Sequence, residues 1–191
     1  MKVLNALLLS AILLFQSQSA EKPRSVDVAN SSLKIHVYKA GLFSAFGHNH
    51  EIDAPIESGE VSESGKVSVT LRVDARKLKV VDQEDTKSRP QVQETMLGPQ
   101  VLDSTRFPEI RFESSKIEPR GQNRWIVNGN LTLHGKSHPI TFDVALTDKV
   151  YRGTATIKQT EFGMTPVTVA GGSVKVKDEV KVEFLISLKA D

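Results

Sequence analysis

The chain has 191 residues, no cysteine, 25 Lys plus Arg against 23 Asp plus Glu, and a formal net charge of +2. The lack of cysteine excludes disulfides, thiolate metal sites and the lipidated N-terminal cysteine of bacterial lipoproteins. Acids and bases are interspersed, which excludes the basic stripe of a nucleic-acid binder; Lys175, Lys177, Lys181 and Lys189 read as a solvated strand face.

Lys2, the apolar run Leu4 to Phe15 and the small residues Ser17-Gln18-Ser19-Ala20 form the pattern of a secretory signal peptide over residues 1–20. The run is too short for a spanning helix, and cleavage is expected after Ser19 or Ala20. Residues 21–191 then form one secreted domain, long enough to bury a core without covalent staples.

Period-two alternation, the mark of a strand with one apolar face, recurs along this domain. Leu33, Ile35 and Val37 alternate with Lys34, His36 and Tyr38, and Val67, Val69, Leu71 and Val73 with Ser68, Thr70 and Arg72. Between Arg89 and Asp103 the pattern changes. Ser88 can cap a helix, Pro90 suits its first turn, and Val92 and Met96 share an i,i+4 face. Gly98-Pro99 should stop it, with a further short turn ending near Leu102. Strand alternation resumes at Ile110 and Phe112.

The clearest stretch is Val127 to Val144, VNGNLTLHGKSHPITFDV. Val127, Leu131 and Leu133 alternate with polar residues, as do Ile140, Phe142 and Val144. His134-Gly135-Lys136-Ser137 between them is a hairpin turn. Ala155 and Ile157 continue the pattern, and Val180, Val182, Phe184, Ile186 and Leu188 end it. Leu185 falls on the opposite face and is expected in an outer contact.

Many alternating strands, one helical insertion and one domain imply an all-β antiparallel barrel. About eight strands enclose a space that either holds one small ligand or is packed solid with side chains, and alternation does not separate the two. The inward sets carry no Lys, Arg, Asp or Glu, so any ligand inside should be apolar.

No catalytic set is present: no serine sits in a nucleophile elbow and no glycine-rich phosphate loop follows a strand. His48-Asn49-His50 would put two imidazoles on one face of an extended segment, and His36 or Glu51 could add a third metal ligand. Without that third ligand fixed, these residues read as polar groups at a barrel mouth. His134 and His138 read as solvated turn ends, and Asp82, Glu84 and Asp85 as a solvated loop.

Four stretches carry a family likeness: Val26 to Leu33 (VDVANSSL), Leu102 to Phe112 (LDSTRFPEIRF), Gly129 to Ile140 (GNLTLHGKSHPI) and Gly153 to Gly163 (GTATIKQTEFG). Of these, the Pro108 and His134-Gly135 segments are the more specific. Through them the chain resembles the YceI-like family of periplasmic, lipocalin-like, polyisoprenoid-binding proteins. The helix start Arg89 to Glu94 and the histidine-rich segment Phe43 to Glu51 depart from the common pattern. The resemblance implies an eight-stranded antiparallel lipocalin-like barrel with a short helical insertion, filling residues 21–191. It further implies a non-enzymatic periplasmic carrier whose lumen holds a long isoprenoid chain, a polyisoprenoid or a prenylated quinone-type lipid, with no cofactor. Expected partners are that apolar lipid and, transiently, a membrane surface; the oligomeric state stays open, a homodimer included. The residues expected to face the lumen are Leu33, Ile35, Val69, Leu71, Ile110, Phe112, Leu131, Leu133, Phe142, Val144, Phe184 and Ile186. The competing expectation is a secreted metal-handling protein or metal-dependent enzyme built on His48 and His50.

Overall fold

The computed structural model describes residues 22–40, 49–83, 86–169 and 174–190. The expected signal peptide lies outside them. The strands are β1 (Arg24–Ser25), β2 (Ser32–Ala40), β3 (His50–Asp53), β4 (Ile56–Ser62), β5 (Ser68–Asp74), β6 (Lys79–Val80), β7 (Glu109–Pro119), β8 (Arg124–Leu133), β9 (Lys136–Thr147), β10 (Val150–Lys158), β11 (Thr168–Val169) and β12 (Val174–Ser187). Among the described residues, one α-helix, α1 (Arg89–Leu97), interrupts them.

All pairings are antiparallel, in the order β1-β4-β5-β7-β8-β9-β10-β12-β2-β3-β6, with β11 attached to β12. The sheet curls into a half-barrel of the lipocalin-like kind. The expected count of eight strands is corrected: the path runs through eleven. Two causes are physical. β1 and β6 are two-residue pairings, too short to show alternation. Ala54-Pro55 separates β3 from β4, because proline has no N–H to give a ladder. On one side Ala54 N still donates to Leu33 O at 2.9 Å. At one end of the sheet the N-terminal segment is stitched between β4 and the end of β12. Val26 N donates to Gly59 O, Asp27 N to Ser187 O and Lys189 N to Ser25 O, and Val26 bridges Leu188.

The antiparallel order sorts the connections. The β4–β5, β7–β8 and β9–β10 turns and the end of β12 share one end of the barrel. The β8–β9 turn, the 3-10 turn Gln159–Phe162 and the helical segment share the other. The β8–β9 connection is tighter than the four residues expected. Leu133 pairs with Lys136, leaving only His134 (φ 51°) and Gly135 (φ 71°) in the loop. Two successive positive φ angles make a type I′ turn, whose twist matches that of the strands. A side chain at Gly135 would also strike the Phe107 ring, whose nearest atom lies 2.6 Å from where a Cβ would stand.

The helix begins with Pro90 in its first turn and ends at Gly98, as its residues imply, although the Ser88 side chain makes no capping bond. It is pinned to β6 by one side chain: Gln93 accepts from Val80 N and donates to Leu78 O, both at 2.8 Å. Met96 and Leu102 then pack with Leu78, Leu133, Phe162 and Met164, all buried, and close the helical end of the barrel. Among the described residues, no helix is long and apolar enough to cross a membrane.

Candidate functional site

Inside the curled sheet is a cavity of about 470 Å³. All twelve residues expected to face inward line it: Leu33 and Ile35 from β2, Val69 and Leu71 from β5, Ile110 and Phe112 from β7, Leu131 and Leu133 from β8, Phe142 and Val144 from β9, and Phe184 and Ile186 from β12. Leu185, on the other face of β12, is 41% exposed. These side chains share one side of the sheet because a strand has only two faces and one of them is apolar.

The alternation of Ala155 and Ile157 is legible in the sequence, but the residues expected in the lumen include none from β10 and miss Tyr151. Tyr151, Ala155 and Ile157 line the cavity, with Gly153 between them on the same face. The glycine breaks the alternation before Ala155, yet it is structural. A Cβ at Gly153 would lie 2.4 Å from Phe184 Cζ, and one at Gly129 would lie 2.4 Å from Phe112 Cζ. Each phenyl ring therefore lies flat over a neighbouring strand where no side chain stands. Phe142 joins them, its ring centroid 5.3 Å from that of Phe112 and 5.4 Å from that of Phe184. Three rings thus band the wall, and two of them, Phe112 and Phe184, lie over a glycine of the neighbouring strand.

The polar groups on the lining sit at its two ends. At the helical end is Gln159, whose Nε2 donates to Lys177 O at 2.8 Å. At the other end are Glu63, Asn123 and Tyr151, beside the indole of Trp125, 6.0 Å from the Tyr151 ring. Tyr151 donates its hydroxyl to Glu63 Oε1, and Arg24 Nη1 donates to Glu63 Oε2 at 3.0 Å. Burial, and then the Glu63 carboxylate, push the Tyr151 phenol far above its ordinary range, so it stays protonated. Val67, which also lines this end, is 43% exposed, so the lumen reaches solvent here. At the opposite end Phe162 is 0% exposed.

The histidines fall elsewhere. His48 lies outside the described residues. His50 Nδ1 is 2.7 Å from Asp82 Oδ2, and Asp82 Oδ1 accepts from Glu51 N at 2.7 Å. The reading of Asp82 as part of a solvated loop is therefore corrected: it is buried, and it ties β3 to the segment before α1. Glu84 and Asp85 lie outside the described residues. His36 Nε2 is 3.3 Å from Glu183 Oε2 on the neighbouring strand. Glu51 takes the Lys34 ammonium. Among the described residues, no group of three or more His, Asp or Glu is placed to hold a metal ion. His134 and His138 are not solvated turn ends either. His134 Nδ1 is 3.1 Å from Phe162 O and its ring packs edge-on against Phe107, while His138 packs edge-on against Phe162. Both are half-buried because the tight turn folds back onto the closed end of the barrel.

The YceI-like domain family matches residues 25–188, nearly all of the described barrel. The chain belongs to the YceI-like family. Among solved structures it is similar to Burkholderia cenocepacia BcnA, at 22% identity over 86% of this chain and 99% of that one, with a TM-score of 0.66. It also resembles a mutant of the Campylobacter jejuni YceI protein crystallised with a monobromobimane guest, at 14% identity over 73% and 82% of the two chains, with a TM-score of 0.52. At these identities the likeness is one of fold. A UPF0312 protein of Pseudomonas putida is 42% identical over 41 residues, which span 22% of this YceI-like chain and only 21% of that relative.

Proposed function

We propose that this protein is a periplasmic carrier that holds the long apolar chain of an isoprenoid-type lipid in its lumen, without catalysis and without a cofactor. The observation that carries the proposal is a cavity of about 470 Å³ whose wall, among the described residues and between its ends, is apolar. That volume falls in the usual range of small-molecule sites. Without an occupant its apolar wall stands against water, since one end reaches solvent, and that exposure is a cost to the fold. An occupant that fills it removes most of that cost. A hydrocarbon chain gains roughly 0.8 kcal/mol for every methylene taken out of water. A bilayer offers a similar gain, so exchange with a membrane is close to neutral and release needs no separate energy source. Transient contact with a membrane surface is then the route of loading, and residues 1–20 act as the export signal that brings the chain there.

The test is mass spectrometry of an organic extract of the mature protein from its native host, followed by reloading of the extracted protein. An isoprenoid-type lipid is expected in the extract, near one per chain. At one hundred times its dissociation constant, a re-added lipid should stabilise the fold by about 2.7 kcal/mol. An extract without lipid, together with no thermal response to any isoprenoid chain, would exclude the carrier.

A further inference from the structure

Among the described residues only one charged side chain, Glu63, lines the lumen, and it stands at the end that reaches solvent. Its two oxygens have different partners. Oε1 accepts from the Tyr151 hydroxyl, and Oε2 accepts from Arg24 Nη1 at 3.0 Å. Arg24 is not part of the lumen wall. Its guanidinium sits behind Glu63, where Nη2 also donates to Lys189 O at 2.9 Å, locking the N-terminal segment to the end of β12. The arginine balances the carboxylate, and two of its donors are engaged by Glu63 and by Lys189 O. Tyr151 spends its one hydroxyl proton on Glu63 and keeps it, because burial holds the phenol protonated. What Glu63 and Tyr151 have left are lone pairs. Asn123 can present either its oxygen or its NH2 and does not decide the polarity.

From this arrangement we propose that Glu63 and Tyr151 are the specificity-determining residues of the lumen, accepting a hydrogen bond from an uncharged hydroxyl head group and disfavouring a phosphorylated one. The proposal rests on the carrier reading and adds the polarity of the head group. A lipid alcohol has an apolar tail for the banded wall and one O–H for this acceptor pair. It requires no counter-charge, since Arg24 already balances Glu63. A phosphate or carboxylate in the same place would meet the Glu63 carboxylate with no positively charged side chain on the described lining to offset it. A cationic head would suit the acceptors but would approach the guanidinium behind them. The chain length cancels in this comparison, because alcohol and phosphate forms of one isoprenoid bury the same tail.

Trp125, the single tryptophan of the chain, lies on the lining beside Tyr151 and supplies the signal. Geranylgeraniol and geranylgeranyl monophosphate are titrated into the delipidated mature protein while its fluorescence is followed, with thermal midpoints recorded for every variant. The alcohol is expected to bind at least tenfold more tightly. Glu63→Gln, which keeps the shape and removes the charge, should narrow the preference at least fivefold by gaining phosphate binding. Tyr151→Phe removes one acceptor of the pair, so it should also narrow the preference, by weakening the alcohol rather than by gaining the phosphate; it also serves if Glu63→Gln does not fold. Equal binding, or tighter binding of the phosphate, overturns the proposal and leaves the carrier standing. A preference that survives Glu63→Gln unchanged, or survives Tyr151→Phe unchanged, overturns the assignment to these residues. Binding of neither probe overturns the carrier and the head-group reading together.

Discussion

Gly153 offers a test of the wall in which the sign of the effect is informative. Replacing glycine by alanine in a strand that has room for a methyl group stabilises a protein by about 0.4–1 kcal/mol, chiefly by restricting the unfolded chain. At Gly153 there is no room. The new Cβ would lie 2.4 Å from Phe184 Cζ, 3.0 Å from Phe184 Cε1 and 2.5 Å from the Asp143 carbonyl oxygen. The ring must lift off β10 into the lumen, and the β9 carbonyl must shift as well. Overpacking of this kind costs about 1–3 kcal/mol. For a domain of this size that lowers the thermal midpoint by roughly 2–12 °C, at about 2–4 °C per kcal/mol. The displaced ring also narrows the lumen at the Phe112–Phe142–Phe184 band, so the variant should lose its bulkiest lipids first. Phe184→Leu in the same chain should return part of the stability, and not all of it, because the Asp143 carbonyl remains. The coupling between the two sites should fall within about 0.5–3 kcal/mol. Thermal unfolding of the four proteins of this cycle, with and without bound lipid, is the assay. A neutral or stabilising Gly153→Ala, or a coupling near zero, would refute the idea that the ring lies on the glycine.

Three further outcomes can be checked directly. Asp82→Ala should lower stability by about 1–3 kcal/mol, measured by urea unfolding, because it leaves the Glu51 N–H without its acceptor; Asp82→Asn keeps an oxygen there and should cost less. The Arg76 guanidinium, in a two-pronged hydrogen bond, holds the Asp74 carboxyl down to about 2 from its ordinary 3.8. A depressed carboxyl stabilises the fold above its unfolded value, so this contribution is complete above about pH 4 and fades as pH falls toward 2. Asp74→Asn should flatten that part of an acid-denaturation curve, and an unchanged curve would exclude the pair as a source of acid sensitivity. Finally, N-terminal sequencing of protein from the native host should begin at Ala20 or Glu21, and an intact Met1 in a membrane fraction would exclude cleavage.

What the sequence determined by itself is the set of faces. A strand has a period of two, so Leu131 and Leu133 could only go where Val127 goes, and Phe184 only where Ile186 goes; the inward residues were legible before any fold was known. The helix over Arg89–Leu97 and its stop at Gly98 were legible for the same kind of reason, since Pro90 and Gly98-Pro99 act on their own backbone. The tertiary structure decided what alternation cannot encode. Strand count depended on Ala54-Pro55 and on two-residue pairings that exist only because a neighbour is there to receive them. Asp82 reads as a loop residue until the fold brings Glu51 N–H and His50 to it across more than thirty positions of chain. Glu63 and Tyr151, 88 residues apart, have nothing in their local sequence to join them. Whether the inward face makes a solid core or a lumen was likewise undecided in the sequence, because the same apolar residues serve either. It turns on side-chain volume against enclosed volume, and here two glycines on the inner face let Phe112 and Phe184 lie along the wall beside an open cavity.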